Sequence, residues 1–419
     1  MRVLVLGSGA REHAVTWKFS KSHRISGLYI APGNAGTDEL GENLPEVDPE
    51  NAIQVEEVCR DKNINLVFIG PEAPLAAGVA DVLRKKGIAV FGPGAKAAEL
   101  EASKVFSKNF MLRHAIPTAA AETVKSLAEL ENHLEHLKGR VVLKQNGLAA
   151  GKGVFESSDR EALYSFGKKV LEKDSLLAEE FLQGYEISIF CLTDGKDYVV
   201  LPTCADFKKA GSGDSGPNTG GMGAICPVPG VGSSLLETVH KKIIAPTFRG
   251  MQEENLMYSG VLYFGLMVTD QGPRLLEYNV RFGDPETQVL IPLLESDFGN
   301  LTEAACIGRL KDFPLQVSSN YALGVVVASQ GYPEAYAKDI PVKPIPIFPE
   351  QDALVFHAST HRKGETVLTG GGRCFTAVGL GPTLLNANVR AYEAVSRISF
   401  QGAWFRDDIG KKFFFDEEG

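Results

Sequence analysis

Two side chains that alternate along one apolar segment could hold a divalent cation. In PRLLEYNV (273–280), Glu277 and Asn279 are separated by one residue, so both point to the same face of a β-strand. A carboxylate and an amide oxygen at this spacing suit a hard cation that also keeps water and phosphate oxygens, hence Mg²⁺ or Mn²⁺. Arg281 and Asp284 follow at once. A half-exposed strand with a polar face would not predict so dense a charged cluster, and the segment predicts a metal site.

A glycine-rich segment bracketed by two lysines is typical of a loop that binds phosphates. GLAAGKG (147–153) lies between the apolar runs VVLK and GVF, with Lys144 before it and Lys152 inside it. It is not a Walker A loop, because Gly153 stands where a magnesium-binding Ser or Thr should be. We interpret it as a hairpin flap whose N–H groups and ammonium groups bind nucleotide phosphates. The alternative is a pair of solvated lysines.

Two further segments carry weaker signals. The linker in LLAEEFLQGYE (176–186) could present backbone groups to an adenine edge and a carboxylate to ribose, but it fits a strand edge with solvated acids equally well. Gly7-Ser8-Gly9 before a helix could bind an anion through free N–H groups. The dinucleotide motif is incomplete, since Glu12 replaces its last glycine and the second strand ends without an acidic residue. An NAD enzyme is therefore disfavoured, while a tight turn without a ligand stays open.

The elements that must position these residues fall into three groups. Up to about residue 101, apolar runs of four or five residues alternate with amphipathic helices, which predicts a Rossmann-like parallel sheet covered on both faces. We expect an ATP-binding module of two α+β lobes over 102–317, with the flap lobe at about 117–186, and a small α+β domain over 318–419. The stretch 208–224 is so rich in glycine that we expect neither helix nor strand there. A kink is expected at Pro246.

Composition excludes several classes of protein. Of the 419 residues, 52 are acidic and 43 basic, and the net charge of −9 is wrong for a protein that binds nucleic acid by counterion release. The six cysteines form no CxxC pair, which disfavours a zinc site or a disulfide framework. No apolar run approaches the roughly 20 residues that span a bilayer. We expect a cytoplasmic, monomeric protein that acts on small molecules and uses neither nucleic acid nor membrane.

Taken together, the segments resemble the ATP-grasp family, in which two α+β lobes hold ATP between them. The resemblance extends over nearly the whole chain and is closest to the phosphoribosylamine–glycine ligases. It is carried by GSGAREHA (7–14), APGNAGT (31–37), GPEAPL (70–75), GLAAGKGV (147–154), EEFL (179–182), GPNTGGMGA (216–224) and EYNVRFGDPETQ (277–288). The last three together are far more specific than any glycine motif alone.

The resemblance implies a role for each matching residue. Those expected at the ATP phosphates are Lys144, Gly147, Gly151, Lys152 and Gly153, and those expected at adenine and ribose are Glu179, Glu180, Phe181, Leu182 and Glu186. Glu277 and Asn279 match the family's metal ligands. Arg281, Lys152 and Asp206 are the expected catalytic residues, with Arg281 facing the γ-phosphate or an acyl phosphate. Those expected near glycine or the amine substrate are Gly9, Glu72, Asn218, Thr219, Gly220 and Arg373.

The activity that the resemblance implies is ligation of glycine to 5-phosphoribosylamine through glycyl phosphate, with ATP as phosphoryl donor. The sequence departs from the family pattern at Ala10, at Gln145-Asn146, at Phe207 and in a shortened segment before Leu176. The Phe207 change removes any role for a histidine at that position. Two alternatives stay open: an ATP-grasp ligase for a different carboxylate or amine, and a nucleotide-sensing module without turnover.

Overall fold

The computed structural model describes residues 1–136, 139–149 and 153–418. The strands, in chain order, are β1 Arg2–Gly7, β2 Gly27–Pro32, β3 Glu42–Asn43, β4 Leu66–Ile69, β5 Ala89–Phe91, β6 Ala121–Val124, β7 Val141–Gln145, β8 Val154–Ser157, β9 Leu176–Glu180, β10 Tyr185–Asp194, β11 Tyr198–Val200, β12 Ala205–Asp206, β13 Lys209–Gly211, β14 Ser215–Asn218, β15 Gly223–Cys226, β16 Ser259–Thr269, β17 Gly272–Asn279, β18 Tyr321–Ala328, β19 Ala353–His357, β20 Thr360–Lys363, β21 Thr366–Thr369 and β22 Arg373–Gly381. The α-helices are α1 Ala10–Ser20, α2 Ala52–Asp61, α3 Glu72–Ala76, α4 Val79–Lys85, α5 Ala95–Ala102, α6 Lys104–Arg113, α7 Leu127–His136, α8 Arg160–Leu171, α9 Ser233–Val239, α10 Ala245–Glu253, α11 Glu286–Leu290, α12 Phe298–Cys306 and α13 Leu384–Val395.

The first sheet has the order β3-β2-β1-β4-β5, and its neighbouring strands are all parallel. The central strands β1 and β4 are buried along almost their whole length, as strands covered on both faces must be. The predicted parallel sheet is therefore confirmed. Gly7 ends β1 and Glu72 begins α3 just after β4, so both lie at the carboxyl edge of the sheet, where ligands of such sheets bind.

The flap lobe is a four-stranded sheet with the order β6-β9-β7-β8. Strands β7 and β8 are antiparallel, with Lys144 opposite Val154, which confirms the predicted hairpin around the glycine-rich loop. Helices α7 and α8 cover one face through Leu130, Leu134 and Leu163, which are all buried. Gly151 and Lys152, which the sequence predicts at the ATP phosphates, lie outside the described residues.

Two more sheets complete the architecture. The first has the order β11-β10-β16-β17, and its β16–β17 hairpin confirms the predicted antiparallel pair. The second, β12-β15-β18-β22-β19, joins strands from both sides of residue 318, and α13 packs against β18 and β22. The two short strands β12 and β15 therefore connect the central part of the chain to its C-terminal part.

The glycine-rich stretch 208–224 was expected to contain neither helix nor strand, and this expectation is wrong. Strands β13 and β14 form a short irregular hairpin, and β15 joins a larger sheet. Glycine at positive φ at Gly213 and Gly216 allows the hairpin to turn. Before Pro246 the backbone is π-helical over His240–Ile244, which agrees with a proline whose nitrogen cannot donate to the preceding turn.

Within the described residues, no helix is both long and apolar enough to cross a membrane.

A buried histidine, His13, and a half-buried one, His357, join α1 to β19. The N–H of His357 donates to His13 Nδ1 at 2.8 Å, and the two ring centroids lie 5.6 Å apart. Burial, together with the nearby His357, lowers the pKa of His13 well below its ordinary value, and burial lowers the pKa of His357 to about 4. Both rings are therefore neutral in the folded protein at neutral pH.

This pair predicts a pH-dependent stability. Above the unfolded pKa of about 6.5 neither state binds a proton at these rings, but below it the unfolded chain does. We expect the free energy of unfolding to fall as the pH drops from about 6.5 toward 4, by up to about 1.4 kcal/mol per pH unit for each histidine. Urea titrations of the His13→Gln variant should show a shallower pH dependence than those of wild type. The matched substitution His23→Gln, at an exposed position, should leave the slope unchanged; equal slopes in all three proteins would contradict the assignment.

Candidate active site

The β16–β17 hairpin carries Glu277 and Asn279 to the region between the flap lobe and the N-terminal part of the chain, which is called the cleft below. Lys144 of β7 contacts β17 there, and Glu101 and Glu72 pair with Arg281 just after it. Gly265 pairs with Glu277 and Leu266 with Leu275, so Leu276 is an extra residue in β17 and forms a bulge. The bulge presents the Leu276 carbonyl to Lys144 Nζ at 3.2 Å. Tyr278 faces the opposite side, where it is buried. Glu277 and Asn279 thus share the cleft face, as their spacing predicts.

Glu277 has the electrostatic surroundings of a cation ligand. Its half-buried carboxylate makes neither a hydrogen bond nor an ion pair with the described part of the chain. Burial opposes its ionisation, but nearby cations outweigh burial and hold the pKa of Glu277 below its ordinary value. In order of effect, these cations are Lys208, Lys144, Lys104 and Arg281. A negative charge with open coordination positions is therefore available at neutral pH.

Glu277 and Asn279 fit a metal ion that takes most of its ligands from elsewhere. No group of three or more His, Cys, Asp or Glu side chains in the described ranges is arranged to hold a metal alone. Mg²⁺ fits such a site, because it keeps several waters and binds through one or two protein groups plus substrate phosphates. Among the described residues, the Asn279 amide oxygen accepts one long hydrogen bond, 3.3 Å, from Arg281 Nη2.

Lys144 is held by a buried charge triad. Its Nζ lies 2.7 Å from Glu179 Oε2, and Lys108 Nζ lies 2.8 Å from Glu179 Oε1. All three side chains are almost fully buried. Burial opposes ionisation of the carboxyl group, but Lys144 and then Lys108 outweigh it and lower the pKa of Glu179. The Glu179 side chain is therefore committed to the two lysines, although its sequence position predicts a place near adenine and ribose.

The base of the glycine-rich loop is fastened to the start of α6. Asn146 Oδ1 accepts from Val105 N at 2.9 Å and from Ser103 Oγ at 3.0 Å, which gives the Gln145-Asn146 departure a structural role. Lys104 Nζ donates to the Gly147 carbonyl at 3.1 Å. Lys104 thus lies beside Lys144 and Glu277, and it is a cation of the site that sequence reasoning missed.

The linker after β9 leaves part of its backbone free. The strand pairings of β9 use Glu179 and Glu180, and Glu180 Oε1 accepts from Ala120 N at 2.8 Å. Phe181 and Leu182 follow, and within the described residues their backbone groups make no hydrogen bond. These two residues could therefore present donors and acceptors to the edge of a flat heterocycle. Glu186 is exposed at the start of β10.

Arg281, which follows β17, connects this strand to the N-terminal part of the chain that contains the first sheet. Its Nη2 lies 2.7 Å from Glu101 Oε1, and its Nε lies 3.5 Å from Glu72 Oε2. These two carboxylates outweigh burial and raise the pKa of Arg281, so the guanidinium is always charged. Arg281 thus brings Glu72 close to the turn that follows β17, and the role of Glu72 in substrate binding stays a prediction. The sequence did not single out Glu101.

Asp206 stands at the end of β12, close to several other charged groups. Burial is the largest of the effects that raise the pKa of Asp206 to about 7. The carboxylates of Glu286, Glu186 and Glu277 add to the increase, and Lys208 opposes it. Lys208 is itself paired with Glu186, with Nζ and Oε2 2.7 Å apart. A carboxyl group with a pKa near 7 can exchange a proton at neutral pH.

The predicted substrate residues converge from three parts of the chain. Arg373 Nη2 lies 3.2 Å from Asp284 Oδ2, and Arg373 Nη1 donates to the carbonyl of Gly220. A Cβ on Gly9 would lie 3.4 Å from Asp284 Oδ2, so the loop that contains Gly9, between β1 and α1, also lies close to Asp284. The Gly9 N–H donates to Glu12 Oε2 at 2.7 Å, and the anion that meets this helix N-terminus is therefore the protein's own carboxylate.

The segment after β14 is fixed against Lys208. Thr219 N and Oγ1 both donate to the Lys208 carbonyl, at 2.7 and 2.8 Å. Gly220 N donates to Tyr332 Oη at 2.9 Å, and Asn218 pairs with Lys209 across the β13–β14 hairpin. The residues Asn218 to Gly220 therefore lie between Asp206 on one side and Arg373 on the other.

The residues that sequence reasoning missed share one property. Lys104, Lys108, Glu101 and Glu286 all lie in helices and act through partners that are distant in sequence. Residues 95–113 have a helical sequence pattern, and charged side chains on a helix are ordinarily exposed to solvent. The sequence pattern therefore gives Glu101, Lys104 and Lys108 no special role. A detectable signal exists at Lys104 and Lys108, which share one face of α6 by their spacing of four residues.

Three family models cover most of the chain. They are described as the N domain, the ATP-grasp (A) domain and the C domain of phosphoribosylglycinamide synthetase, and they match residues 1–101, 102–287 and 322–412. The chain is 43% identical to a phosphoribosylamine–glycine ligase of Rhizobium meliloti, over 98% of each chain.

Solved structures give the same picture. A crystal structure of phosphoribosylamine–glycine ligase from Thermotoga maritima has a TM-score of 0.86 and 34% identity, covering 98% of this chain and 100% of that one. The biotin carboxylase domain of a Hydrogenobacter thermophilus 2-oxoglutarate carboxylase, solved with MgADP, has a TM-score of 0.74 and 15% identity, covering 96% and 91%. At 15% identity this second likeness shows the fold alone.

The buried triad predicts a large loss of stability when its anion is removed. Glu179→Gln would leave Lys144 and Lys108 buried without a counter-charge, so we expect the free energy of unfolding to fall by about 3 kcal/mol or more. Equilibrium urea unfolding at pH 7 measures the change. The control is Glu180→Gln at the adjacent exposed position, where the glutamine oxygen can still accept from Ala120 N and the loss should be far smaller. Similar losses in the two variants would refute the buried pairing.

Proposed function

The chain belongs to the phosphoribosylglycinamide synthetase family, and we infer that it ligates glycine to 5-phosphoribosylamine with conversion of ATP to ADP and phosphate. It is an ATP-grasp carbon–nitrogen ligase of purine biosynthesis. The observation that carries the site assignment is the free Glu277 carboxylate surrounded by cations from separate elements. We further propose that the chain is a cytoplasmic monomer, that its domains are 1–101, 102–317 and 318–419, and that it acts on small molecules only.

The nucleotide is proposed to bind between the flap lobe and the β16–β17 hairpin. Lys144, Lys104 and the loop that starts at Gly147 would contact its phosphates, and Phe181 and Leu182 would contact adenine. The further nucleotide contacts proposed from the family resemblance are Gly151, Lys152, Gly153, Glu180 and Glu186. Glu277 and Asn279 would hold Mg²⁺ or Mn²⁺, which neutralises phosphate charge when bound.

The proposed first step makes the carboxylate of glycine reactive. One carboxylate oxygen attacks the γ-phosphorus of ATP, ADP leaves, and glycyl phosphate forms. Such transfer depends mainly on alignment and on charge neutralisation. Lys144 and Arg281 can supply positive charge that is already oriented by Glu179 and Glu101. Because these pairs exist before the nucleotide binds, little reorganisation is needed during the reaction.

The proposed second step joins the two substrates. The amine of phosphoribosylamine attacks the carbonyl carbon of glycyl phosphate, inorganic phosphate leaves, and the nitrogen loses a proton. Asp206, with its pKa near 7, is suited to accept that proton. Glu72 is proposed at the ribose hydroxyls, Gly9 and Arg373 at the phosphate of the amine substrate, and Asn218, Thr219 and Gly220 at glycine.

The overall function is tested by the substrate dependence of ADP release. The proposal requires release that depends on both glycine and 5-phosphoribosylamine, with glycinamide ribonucleotide as the product. Release that needs a different carboxylate or amine would assign another ligase activity. ATP binding with no release under any combination would indicate a nucleotide-sensing module.

Removing the metal-binding carboxylate should abolish most turnover. We expect Glu277→Ala to lower kcat by about 10²- to 10³-fold, comparable to the loss of one charge-stabilising group, and to shift the dependence of rate on Mg²⁺ concentration. The matched control is Asp270→Ala in the exposed turn of the same hairpin, which should leave both unchanged. Near-normal turnover of Glu277→Ala with unaltered metal dependence would refute the metal assignment.

The proposed base predicts a pH profile. Below the pKa of about 7 for Asp206, its ionised fraction falls about tenfold per pH unit. The logarithm of kcat/KM for the amine substrate should therefore rise with a slope near one up to about pH 7 and then level off. Asp206→Asn should lower the rate and remove this limb from the profile. The proposal is wrong if the variant keeps the wild-type profile.

A further inference from the structure

The β13–β14 hairpin is held at its tip by a segment from the far end of the chain, Arg406–Phe414. Ser212 Oγ donates to Asp407 Oδ1 at 2.7 Å, and Gly213 N donates to Asp408 Oδ2 at 2.8 Å. Lys412 Nζ lies 3.2 Å from Asp214 Oδ2. These three contacts lie at the turn of the hairpin, and all of them are to the Arg406–Phe414 segment.

Arg406 is the centre of this attachment. Its side chain is only 1% exposed, which is rare for an arginine in the absence of a full set of partners. Nε and Nη2 bind the two oxygens of Asp408, both at 2.9 Å, in the bidentate geometry that only a guanidinium provides. Nη1 donates to the Lys209 carbonyl at 2.9 Å, and Nη2 lies 3.0 Å from Asp214 Oδ1. One side chain therefore contacts the start of the hairpin, its tip and the C-terminal segment.

The same segment packs against Phe207. The Arg406 guanidinium carbon lies 5.4 Å from the centre of the Phe207 ring, Lys412 Nζ lies 4.9 Å from it, and Phe413 meets it edge-on at 6.4 Å. Phe207 is flanked in the chain by Asp206 and Lys208, the two charged groups that interact with each other and with Glu277. Phe207, one of the positions at which the sequence departs from the family pattern, therefore makes cation–π contacts with the Arg406–Phe414 segment.

The hairpin needs an external attachment. A two-stranded hairpin is marginally stable by itself, and this one contains Gly211, Gly213 and Gly216, whose backbone has the largest freedom to lose. At its other end it leads directly to Asn218 and Thr219. Conformational freedom at the tip of the hairpin would therefore also reduce the order of Asn218–Gly220, which lie between Asp206 and Arg373.

We propose that Arg406 is a positioning residue for the ligation reaction. It fixes the glycine-rich hairpin and the strand of Asp206 to the C-terminal segment, and thereby orders Asn218–Gly220 for glycine before glycine binds. This inference rests on the proposed function, because it takes these residues as the glycine site. It makes the Arg406–Phe414 segment a determinant of glycine affinity, although none of the proposed substrate residues lies in that segment.

The test uses the full-length enzyme and two variants of the attachment. Asp214→Asn removes both ion pairs at the tip from a side chain that is 45% exposed, so folding is not at risk. Arg406→Lys keeps the charge but loses the guanidinium fork. The matched control is Asp352→Asn, which breaks a similar ion pair with Arg390 at 2.8 Å in the same C-terminal region but away from the hairpin.

A rise in the KM for glycine without a rise in the KM for ATP would identify Arg406 as a positioning residue for the glycine site. We expect the KM for glycine to rise about threefold in Asp214→Asn, the size expected for exposed ion pairs, and on the order of tenfold in Arg406→Lys, which loses a buried bidentate pair. The KM for ATP should stay unchanged, because no proposed nucleotide contact among the described residues has a hydrogen bond or ion pair with residues 209–218. Hydrogen exchange of amides 209–218 should accelerate in both variants and stay at the wild-type rate in Asp352→Asn.

Two results would overturn the inference: a KM for glycine in both variants equal to that of wild type, or a rise that Asp352→Asn reproduces. Equal increases in the KM for glycine and the KM for ATP would also count against it, since they indicate general loosening. Failure of the proposed function is seen separately, because wild type itself would then release no ADP with glycine and 5-phosphoribosylamine. In that case hydrogen exchange still reports whether Arg406 holds the hairpin.

Discussion

Glu277 must remain ionised in a partly buried cleft, and the arrangement of the surrounding elements depends on this requirement. Removing a carboxylate from water costs several kcal/mol unless opposite charge is close. The compensating charges come from Lys208, Lys144, Lys104 and Arg281. Lys208 follows β12, Lys144 is the next-to-last residue of β7, Lys104 begins α6, and Arg281 follows β17. Three separate sheets must therefore meet at one point for a single carboxylate to keep its charge.

The cations of this cleft also need a nearby opposite charge before any substrate binds. Lys144 is balanced by Glu179, and Arg281 is balanced by Glu101. Positive and negative groups consequently alternate through the cleft, and each is oriented by a partner of opposite sign. A triphosphate that enters such a site meets donors whose orientation has already been set during folding. This is the condition under which electrostatic groups lower a reaction barrier most, because the protein does not have to rearrange.

Local sequence was sufficient to predict the parts of the site that one strand or one hairpin creates. The spacing of Glu277 and Asn279 placed both on one face, and the run of apolar residues before Lys144 placed it at the end of a strand beside the flap. The bulge at Leu276 and the pairing of Lys108 with Glu179 could not be predicted in this way, because each depends on contacts across the sheet or between lobes. The hairpin within 208–224 was missed for a related reason. Glycine weakens strand propensity, and here an arginine almost two hundred residues later supplies the missing stabilisation.

The turn that follows β17 shows why the three parts of the molecule act as one site. Arg281 reaches Glu72 at the edge of the first sheet, the Phe282 carbonyl accepts from Arg11 Nη1 at 3.1 Å, and Asp284 pairs with Arg373 from β22. A few consecutive residues thus contact the first sheet, the proposed metal ligands and the C-terminal sheet. The acyl phosphate proposed to form beside Glu277 would have to reach its amine before water does. A short rigid turn that links the proposed phosphoryl-transfer and amine sites meets this need, because neither group has to cross a flexible domain boundary.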